Sequence, residues 1–295
     1  MKILLTGSTG FLGRTILKEL SNFQVVTVSR NNSEINADLT AGKIELPKVN
    51  AVIHAAGKAH LVPKTQKEIV EFATVNVGGT ENLLNSLETN LPESFVFISS
   101  VSVYGRLEGD LISEEASLNA SDPYGLSKIQ AEAMIESWCL RNNVKLSILR
   151  LPLLVGANPP GNLGSMIRAI RKGYYFNIAG GSARKSMVMA QDVARIIPKV
   201  IKVGGIYNLT DGFHPTISEL SQMIASQLGK GQPKNIPKWA AEIMAVVGDL
   251  LGQKSPFNSY KLHKLIADLT FDDSKARLEV GWAPNAVLES LNIGV

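Results

Sequence analysis

The sequence predicts an α/β protein, a Rossmann-like doubly wound parallel sheet with a smaller, mainly helical C-terminal domain. Short β-branched runs alternate with longer helical patterns through the first half of the chain, as in βαβ folds. Those runs are apolar throughout, the pattern of strands covered on both faces. A glycine-rich turn joins the first run to the first helical pattern.

Lys2–Thr6 reads as the first strand, and Phe11–Leu20 follows with apolar residues at helical spacing. Gln24–Ser29, rich in valine, is the second strand. Ala51–His54, Ser94–Ser99 and Lys145–Leu149 are the third, fourth and fifth. Helical patterns cover Lys67–Asn90 and Lys128–Asn142. Then the texture changes. Gly156–Gly164 is a loop rich in Gly, Pro and Asn, and helices are expected over Ser165–Lys172, Gln191–Lys202, Ser218–Leu228, Trp239–Leu251 and Ser259–Ala267. A short strand, Ile206–Leu209, is expected to return to the sheet. This divides the chain into a sheet domain over 1–155, with a return segment near 186–212, and a lid domain over 156–295. The lid is expected to cover the carboxyl edge of the sheet, where such folds bind ligands. Trp239–Leu251 lacks the Lys/Arg-rich polar face of a membrane-surface helix and is expected to be buried in that lid.

Composition narrows the function classes. At 295 residues the chain suits one large domain or two coupled ones, and 45% hydrophobic residues exclude intrinsic disorder. The net charge is +4, yet no run of five Lys or Arg occurs, which argues against a nucleic-acid partner. One cysteine, Cys139, leaves no intramolecular disulfide and no thiolate-built metal site. It shares a helical pattern with Met134, Ile135 and Trp138 and is expected to be a buried, inert thiol. The four histidines show no metal-ligand spacing, so no metal is expected. The first apolar run ends at Leu5, too short for a signal peptide, and no stretch reaches the roughly 18 apolar residues of a membrane span. A cytoplasmic, soluble protein is expected.

Gly7, Gly10 and Gly13 stand at G-x-x-G-x-x-G spacing directly after the first strand, with Phe11 and Leu12 opening the helix. Gly7 permits the tight turn and Gly10 lets backbone approach a pyrophosphate. Gly13 lets the helix lie close to the strand. The phosphates would rest on the helix N-terminus, where free N–H groups and the positive dipole end converge. The second strand ends in Ser29-Arg30, with no acid until Glu34. An arginine there can pair with a 2′-phosphate, which favours NADP(H) and leaves NAD(H) possible.

Tyr124 and Lys128 lie four residues apart at the start of a helix, on one face. A neighbouring ammonium stabilises phenolate and is expected to pull the tyrosine pKa down from ~10 toward neutrality. The fourth strand ends in Ser99-Ser100-Val101-Ser102, hydroxyls massed where this fold opens its ligand crevice.

A glycine turn, a strand-end serine cluster and a Tyr-x-x-x-Lys, in that order, resemble the extended short-chain dehydrogenase/reductase superfamily, in its nucleotide-sugar epimerase, dehydratase and reductase branch. The resemblance covers essentially the whole chain. It implies a catalytic set of Ser100, Tyr124 and Lys128, the last two also touching the cofactor. It places Asp38 and Leu39 beside the adenine, Ala55, Ala56 and Gly57 along the cofactor, and Leu151 at the nicotinamide end. Asn76 matches the asparagine that helps order the central helix and cofactor region. For the substrate it implies Asn162, Arg184 and Lys185, with Ser102 beside the catalytic serine and Lys58 and His60 facing the same cleft. Gly281-Trp282-Ala283-Pro284 reads as structural.

The resemblance further implies a nucleotide-diphosphate sugar as substrate and a homodimer formed through Lys67–Asn90 and Lys128–Asn142. Arg30 departs from the acid of NAD-holding epimerases. Val101-Ser102-Val103 stands where dehydratases carry an acidic pair, which argues against elimination. The implied activity is an NADPH-dependent 4-keto-sugar reductase. A nucleotide-sugar 4-epimerase with tightly held NAD is the alternative. A non-enzymatic NADP-binding sensor is the third, and the intact Ser100/Tyr124/Lys128 set counts against it.

Overall fold

A computed structural model describes residues 1–59, 63, 65–251, 255 and 257–293; His60 lies outside the described residues. The chain opens with β1 (Lys2–Thr6), α1 (Phe11–Glu19), β2 (Gln24–Ser29), β3 (Ile35–Asn36) and β4 (Ala51–His54). Then come α2 (Gln66–Phe72), α3 (Gly79–Leu87), β5 (Ser94–Ser100), β6 (Gly109–Ile112), α4 (Pro123–Asn142) and β7 (Lys145–Leu151). Six of these strands join a later one, β11 (Gly205–Asn208), in a seven-stranded sheet ordered β11-β7-β5-β4-β1-β2-β3. Its pairings are all parallel. The order reverses at β1, which pairs β2 on one side and β4 on the other. A crevice therefore opens beyond the carboxyl ends of β1 and β4, the place where doubly wound sheets take their ligands.

Two-residue periodicity along each strand explains the two-faced core. Ile3 and Leu5 of β1, with Ala51 and Ile53 of β4, pack with Leu12 and Ile16 of α1. Leu4 and Val52, the residues between, pack on the opposite face with Leu83 and Leu87 of α3 and Ile135, Trp138 and Cys139 of α4. Cys139 is buried among these side chains, and burial pushes its thiol up to about 12. Each such buried aliphatic side chain contributes roughly 1.5–3 kcal/mol.

The expected single helix over Lys67–Asn90 is interrupted. Between α2 and α3 the backbone widens into a π-helical segment, Ala73–Gly78. Asn76 sits in it, buried, with its carbonyl accepting from the Thr80 hydroxyl at 2.6 Å and its amide donating to Ser127 at 2.8 Å. The extra residue in that turn accompanies an inward-facing polar side chain that a regular amphipathic pattern does not announce.

Past β7 the chain forms β8 (Leu153–Val155), α5 (Gly161–Lys172), β9 (Phe176–Ile178), β10 (Met187–Met189) and α6 (Ala190–Val203). After β11 follow α7 (Ile217–Gln227), β12 (Lys234–Ile236), α8 (Lys238–Leu250), α9 (Ser259–Ile266), β13 (Leu269–Phe271), α10 (Ser274–Val280) and α11 (Val287–Ser290). Three parallel two-stranded ribbons, β10 with β8, β12 with β9 and β13 with β6, are additions to the helical picture. α6 supplies Val193, Ile197 and Val200 to the core under α1. A further cluster joins α5, α7 and α11 through Leu163, Ile167, Leu220, Ile224 and Val287. Trp282 is buried, its indole donating to the Thr210 carbonyl at 2.9 Å.

The expectation that Trp239–Leu251 is buried is wrong for its large side chains. In α8 the buried stripe is Ala241, Ala245 and Gly248, while Trp239, Ile243, Met244, Val246, Val247 and Leu250 face solvent. The reason is steric. A Cβ on Gly248 would lie 1.8 Å from the Phe257 carbonyl oxygen, so only the small face lets the helix lie this close to its neighbour.

Candidate active site

Three strand ends build the cleft. At β1 the chain turns at Gly7, whose φ of +71° is open to glycine and strained for other residues. A Cβ on Gly7 would meet the Ala56 nitrogen at 2.6 Å and the Ala55 carbonyl at 2.8 Å, so the glycine turn and the end of β4 touch. A Cβ on Gly13 would lie 2.1 Å from the Gly7 oxygen, which presses α1 against the turn. Gly10 is the N-cap of α1, and no side chain caps it. The first-turn N–H groups at Phe11 and Leu12 are thus left to an external acceptor, and an exposed Gly10 leaves it room. These features fit a dinucleotide pyrophosphate. The Phe11 ring reaches toward the other end of the crevice, 3.1 Å from where a Cβ on Gly156 would stand.

The adenosine side is polar. Ser29 at the end of β2 bonds Ser8 at 3.0 Å, tying that strand to the turn. Arg30 is exposed beside it. Asp38 caps a short turn, accepting from the Thr40 backbone at 2.9 Å and hydroxyl at 2.8 Å, and these bonds, with a smaller contribution from Arg30, hold its carboxyl below the usual range. Leu39 packs beside Gly79 at the start of α3, its carbonyl accepting from Asn82 at 2.7 Å.

At the middle of the cleft stand Ser100, Tyr124 and Lys128. Asp122 caps α4, accepting from the Gly125 N–H at 3.0 Å, and Pro123 occupies the first turn, so Tyr124 enters on a fixed helix start. Ser100 ends β5 in register with Leu151 and is hydrogen-bonded to the phenol. Ser102 turns back on it, its N–H donating to the Ser100 oxygen at 3.2 Å. The Phe72 ring stands 5.9 Å from that of Tyr124.

The expectation that Lys128 pulls the Tyr124 pKa toward neutrality is not met. Burial dominates and raises the Tyr124 pKa above its ordinary 10, opposed by the Ser100 hydrogen bond. The ammonium instead donates to the Ile98 carbonyl at 2.9 Å and sits over the Phe97 ring at 4.6 Å. Burial lowers the Lys128 pKa to about 8, with Glu132 one turn along opposing the fall.

A chain of hydrogen bonds connects the glycine turn to Tyr124. The Ala56 N–H donates to Thr6 Oγ1 at 3.2 Å, and His54 joins Thr6 at 2.7 Å to Thr80 at 2.9 Å. Because the Thr80 hydroxyl already donates to the Asn76 carbonyl, His54 must donate from Nε2 and accept at Nδ1. Burial, and secondarily the nearby Lys128, lowers the His54 pKa to about 3. Asn76 continues the chain to Ser127, whose hydroxyl donates to the Tyr124 carbonyl at 2.7 Å. The Asn76 oxygen also accepts from the Lys58 N–H at 2.6 Å, and a Cβ on Gly57 would come within 3.1 Å of that oxygen.

The residues expected at the substrate scatter more. Lys58 pairs with Glu71 near Phe72 and Tyr124, and Ser102 lies beside Ser100. Asn162 is exposed in the first turn of α5, which begins three residues before the expected loop ends. Lys185 donates to the carbonyls of Lys264 at 3.0 Å and Ala267 at 2.6 Å, and Arg184 lies 3.9 Å from Asp110. Both cations already have partners within the chain.

The pattern of the NAD-dependent epimerase/dehydratase family matches residues 3–210, the span that holds the glycine turn, Ser100, Tyr124 and Lys128. The chain belongs to that family. It is an NAD(P)-dependent enzyme of the extended short-chain dehydrogenase/reductase type. It is 27% identical to a UDP-glucose 4-epimerase of Vibrio cholerae over 97% of this chain and 92% of the relative. In fold it is similar to RMD of Pseudomonas aeruginosa complexed with NADPH, with a TM-score of 0.75 at 20% identity, over 98% of this chain and 96% of that one. It is also similar to MoeE5 in complex with UDP-glucose and NAD, with a TM-score of 0.76 at 22% identity, over 98% and 95%.

Two features of this epimerase/dehydratase chain escaped the sequence reading. Glu132 forms a buried ion pair with Arg150 at 2.8 Å and accepts from Ser99, bracing the β5 end against α4. Its position four residues after Lys128 was the available signal, but a Glu at that spacing usually marks a solvated helix pair. His54 was visible at a strand end, without any sign that two threonines would hold it neutral.

Proposed function

We propose that the chain is an NADPH-dependent reductase acting on the C4 ketone of a nucleotide-activated sugar. The observation that carries this reading is Arg30, exposed beside Ser29 at the adenosine end of the crevice where a 2′-phosphate would lie. Tyr124, half-buried and hydrogen-bonded to Ser100, supplies the proton. Reduction of a ketone requires an acid at the start of the cycle, and oxidation of an alcohol requires a base. A reduced nicotinamide, when bound, supplies the hydride and brings no positive ring charge that would ionise the phenol.

Ser100 Oγ holds the C4 oxygen, and Tyr124 donates its proton to that oxygen as it gains charge. Lys128, one turn away and still an ammonium below about pH 8, stabilises the phenolate left behind. The phenolate then recovers a proton from water. Glu132 and Arg150 keep the strand end and helix in place. Gly7, Gly10 and Gly13 hold the pyrophosphate, and Arg30, an exposed cation beside Ser29, meets a 2′-phosphate. This supports NADPH over NADH.

A 4-epimerase remains the second reading, favoured by the Vibrio cholerae relative. Purified protein is mixed with NADPH and a UDP-4-keto-6-deoxy sugar, and separately with UDP-glucose and NAD. Stoichiometric loss of reduced-nicotinamide absorbance in the first mixture is the expected result. Formation of UDP-galactose in the second, with no NADPH consumed in the first, overturns the reductase reading.

A further inference from the structure

No helix among the described residues is long and apolar enough to cross a membrane. α8 nevertheless carries a face suited to lying on one. Trp239, Ile243, Val246, Val247 and Leu250 recur at helical spacing along one side, with Met244 and Leu251 at its margin. All are exposed, Trp239 at 66% and Leu250 at 84%. The opposite, small-residue side is the one that packs inward. Soluble proteins seldom leave so continuous an aliphatic strip uncovered.

Charge says what covers it. Residues 230–266 carry six lysines against two carboxylates, an excess equal to the net charge of the whole chain. Both carboxylates have partners: Glu242 pairs with Lys238 at 3.8 Å, and Asp249 accepts from the Ser259 N–H at 3.1 Å. Lys230 and Lys234 are exposed in the approach to the helix, Lys238 at its first position and Lys264 on α9. The cations missing from the polar face of α8 are thus provided by the segments around it. A second copy of this lobe would bring like charge to like charge, whereas an anionic lipid surface is complementary to it. Trp239 at the helix start has the amphipathic ring that settles at headgroup depth.

We propose that α8 is a membrane-docking helix, lying in the interface of an anionic bilayer with Trp239, Ile243, Val247 and Leu250 inserted and the surrounding lysines on the headgroups. The enzyme would then work at a lipid surface without spanning it.

Tryptophan fluorescence reads this directly. Trp138 and Trp282 are buried, at 2% and 4% exposure, so Trp239 is the reporter. Vesicles of mixed phosphatidylglycerol and phosphatidylcholine should blue-shift the emission and co-sediment the protein, and added salt should weaken both. Trp239→Phe should lose the shift but still sediment. Ile243→Glu/Val247→Glu, changing only exposed side chains, should bind at least about tenfold more weakly. Absence of a blue shift, equal binding to pure phosphatidylcholine, or unchanged binding by the double variant would each overturn the proposal. So would a concentration-dependent dimer, formed without vesicles, that the double variant abolishes.

Discussion

At the scale of single residues, opposing effects on two groups, Tyr124 and His54, set the chemistry and its pH dependence. Burial outweighs the Ser100 hydrogen bond and moves the Tyr124 pKa further above its ordinary value, away from phenolate. Tyr124→Phe removes the phenol's hydroxyl, the proton donor of the proposed step, while preserving the ring that packs near Phe72. Turnover should fall at least about a hundredfold, with NADPH binding measured by fluorescence unchanged. His54 gives a pH signature of a different kind. In the fold it stays neutral down to about pH 3, while in the unfolded chain it protonates near its ordinary 6.5. Between those values the unfolded state binds more protons, so this stabilisation is complete above pH 6.5 and is lost as pH falls toward 3. Its full extent is on the order of a few kcal/mol, at ~1.4 kcal/mol per pH unit. Melting temperatures measured from pH 7 to pH 4 should fall steeply for the native chain and less steeply for His54→Gln, whatever the variant's starting stability. Parallel curves would show that His54 does not titrate on unfolding.

At the scale of elements, what was legible in the sequence was whatever local chemistry settles. The β-branched runs became β1, β2, β4, β5, β7 and β11 because a strand buried on both faces must be apolar throughout. The glycine spacing was legible because sterics leave few alternatives at Gly7 and Gly13. What was not legible depends on partners distant in the chain. The ribbon strands are short and paired with remote segments, so periodicity gave no hint of them. The π-turn at Asn76 answers to Ser127 on another helix, and the orientation of α8 answers to the Phe257 backbone. The Tyr124 pKa was misjudged because Tyr-x-x-x-Lys spacing reveals proximity and says nothing of how deeply the phenol is buried. The glycine turn offers the clearest test of an element. Gly13→Ala places a methyl where backbone already stands, 2.1 Å from the Gly7 oxygen, and nothing flexible can yield. The variant should be destabilised by about 2 kcal/mol or more in denaturant titration, and cofactor affinity should drop with it. Native stability in this variant would mean that α1 is free to lift from the turn.

At the scale of the whole molecule, the sheet and the segments after it depend on each other. The face of the sheet under α1 is completed by α6, which brings Val193, Ile196, Ile197, Val200 and Ile201, and by Ala276 and Val280 of α10. The edge strand β11 pairs β7 along Ser147–Arg150, and the β5 and β7 serines Ser94 and Ser147 donate to carbonyls of Ile201 and Val200 at 2.9 and 2.8 Å. A cut after Val155 would leave those hydroxyls without acceptors and expose the aliphatic face of β1, β4 and β5, in addition to opening β7 as an unpaired edge. A fragment of residues 1–155 should therefore aggregate or show no cooperative thermal transition by circular dichroism. The full chain should melt with a single transition that bound NADPH raises. If the fragment folded cooperatively and bound NADPH by itself, the glycine turn, Ser100, Tyr124 and Lys128 would form a self-sufficient unit, and α6 and β11 would only decorate a sheet already stable without them.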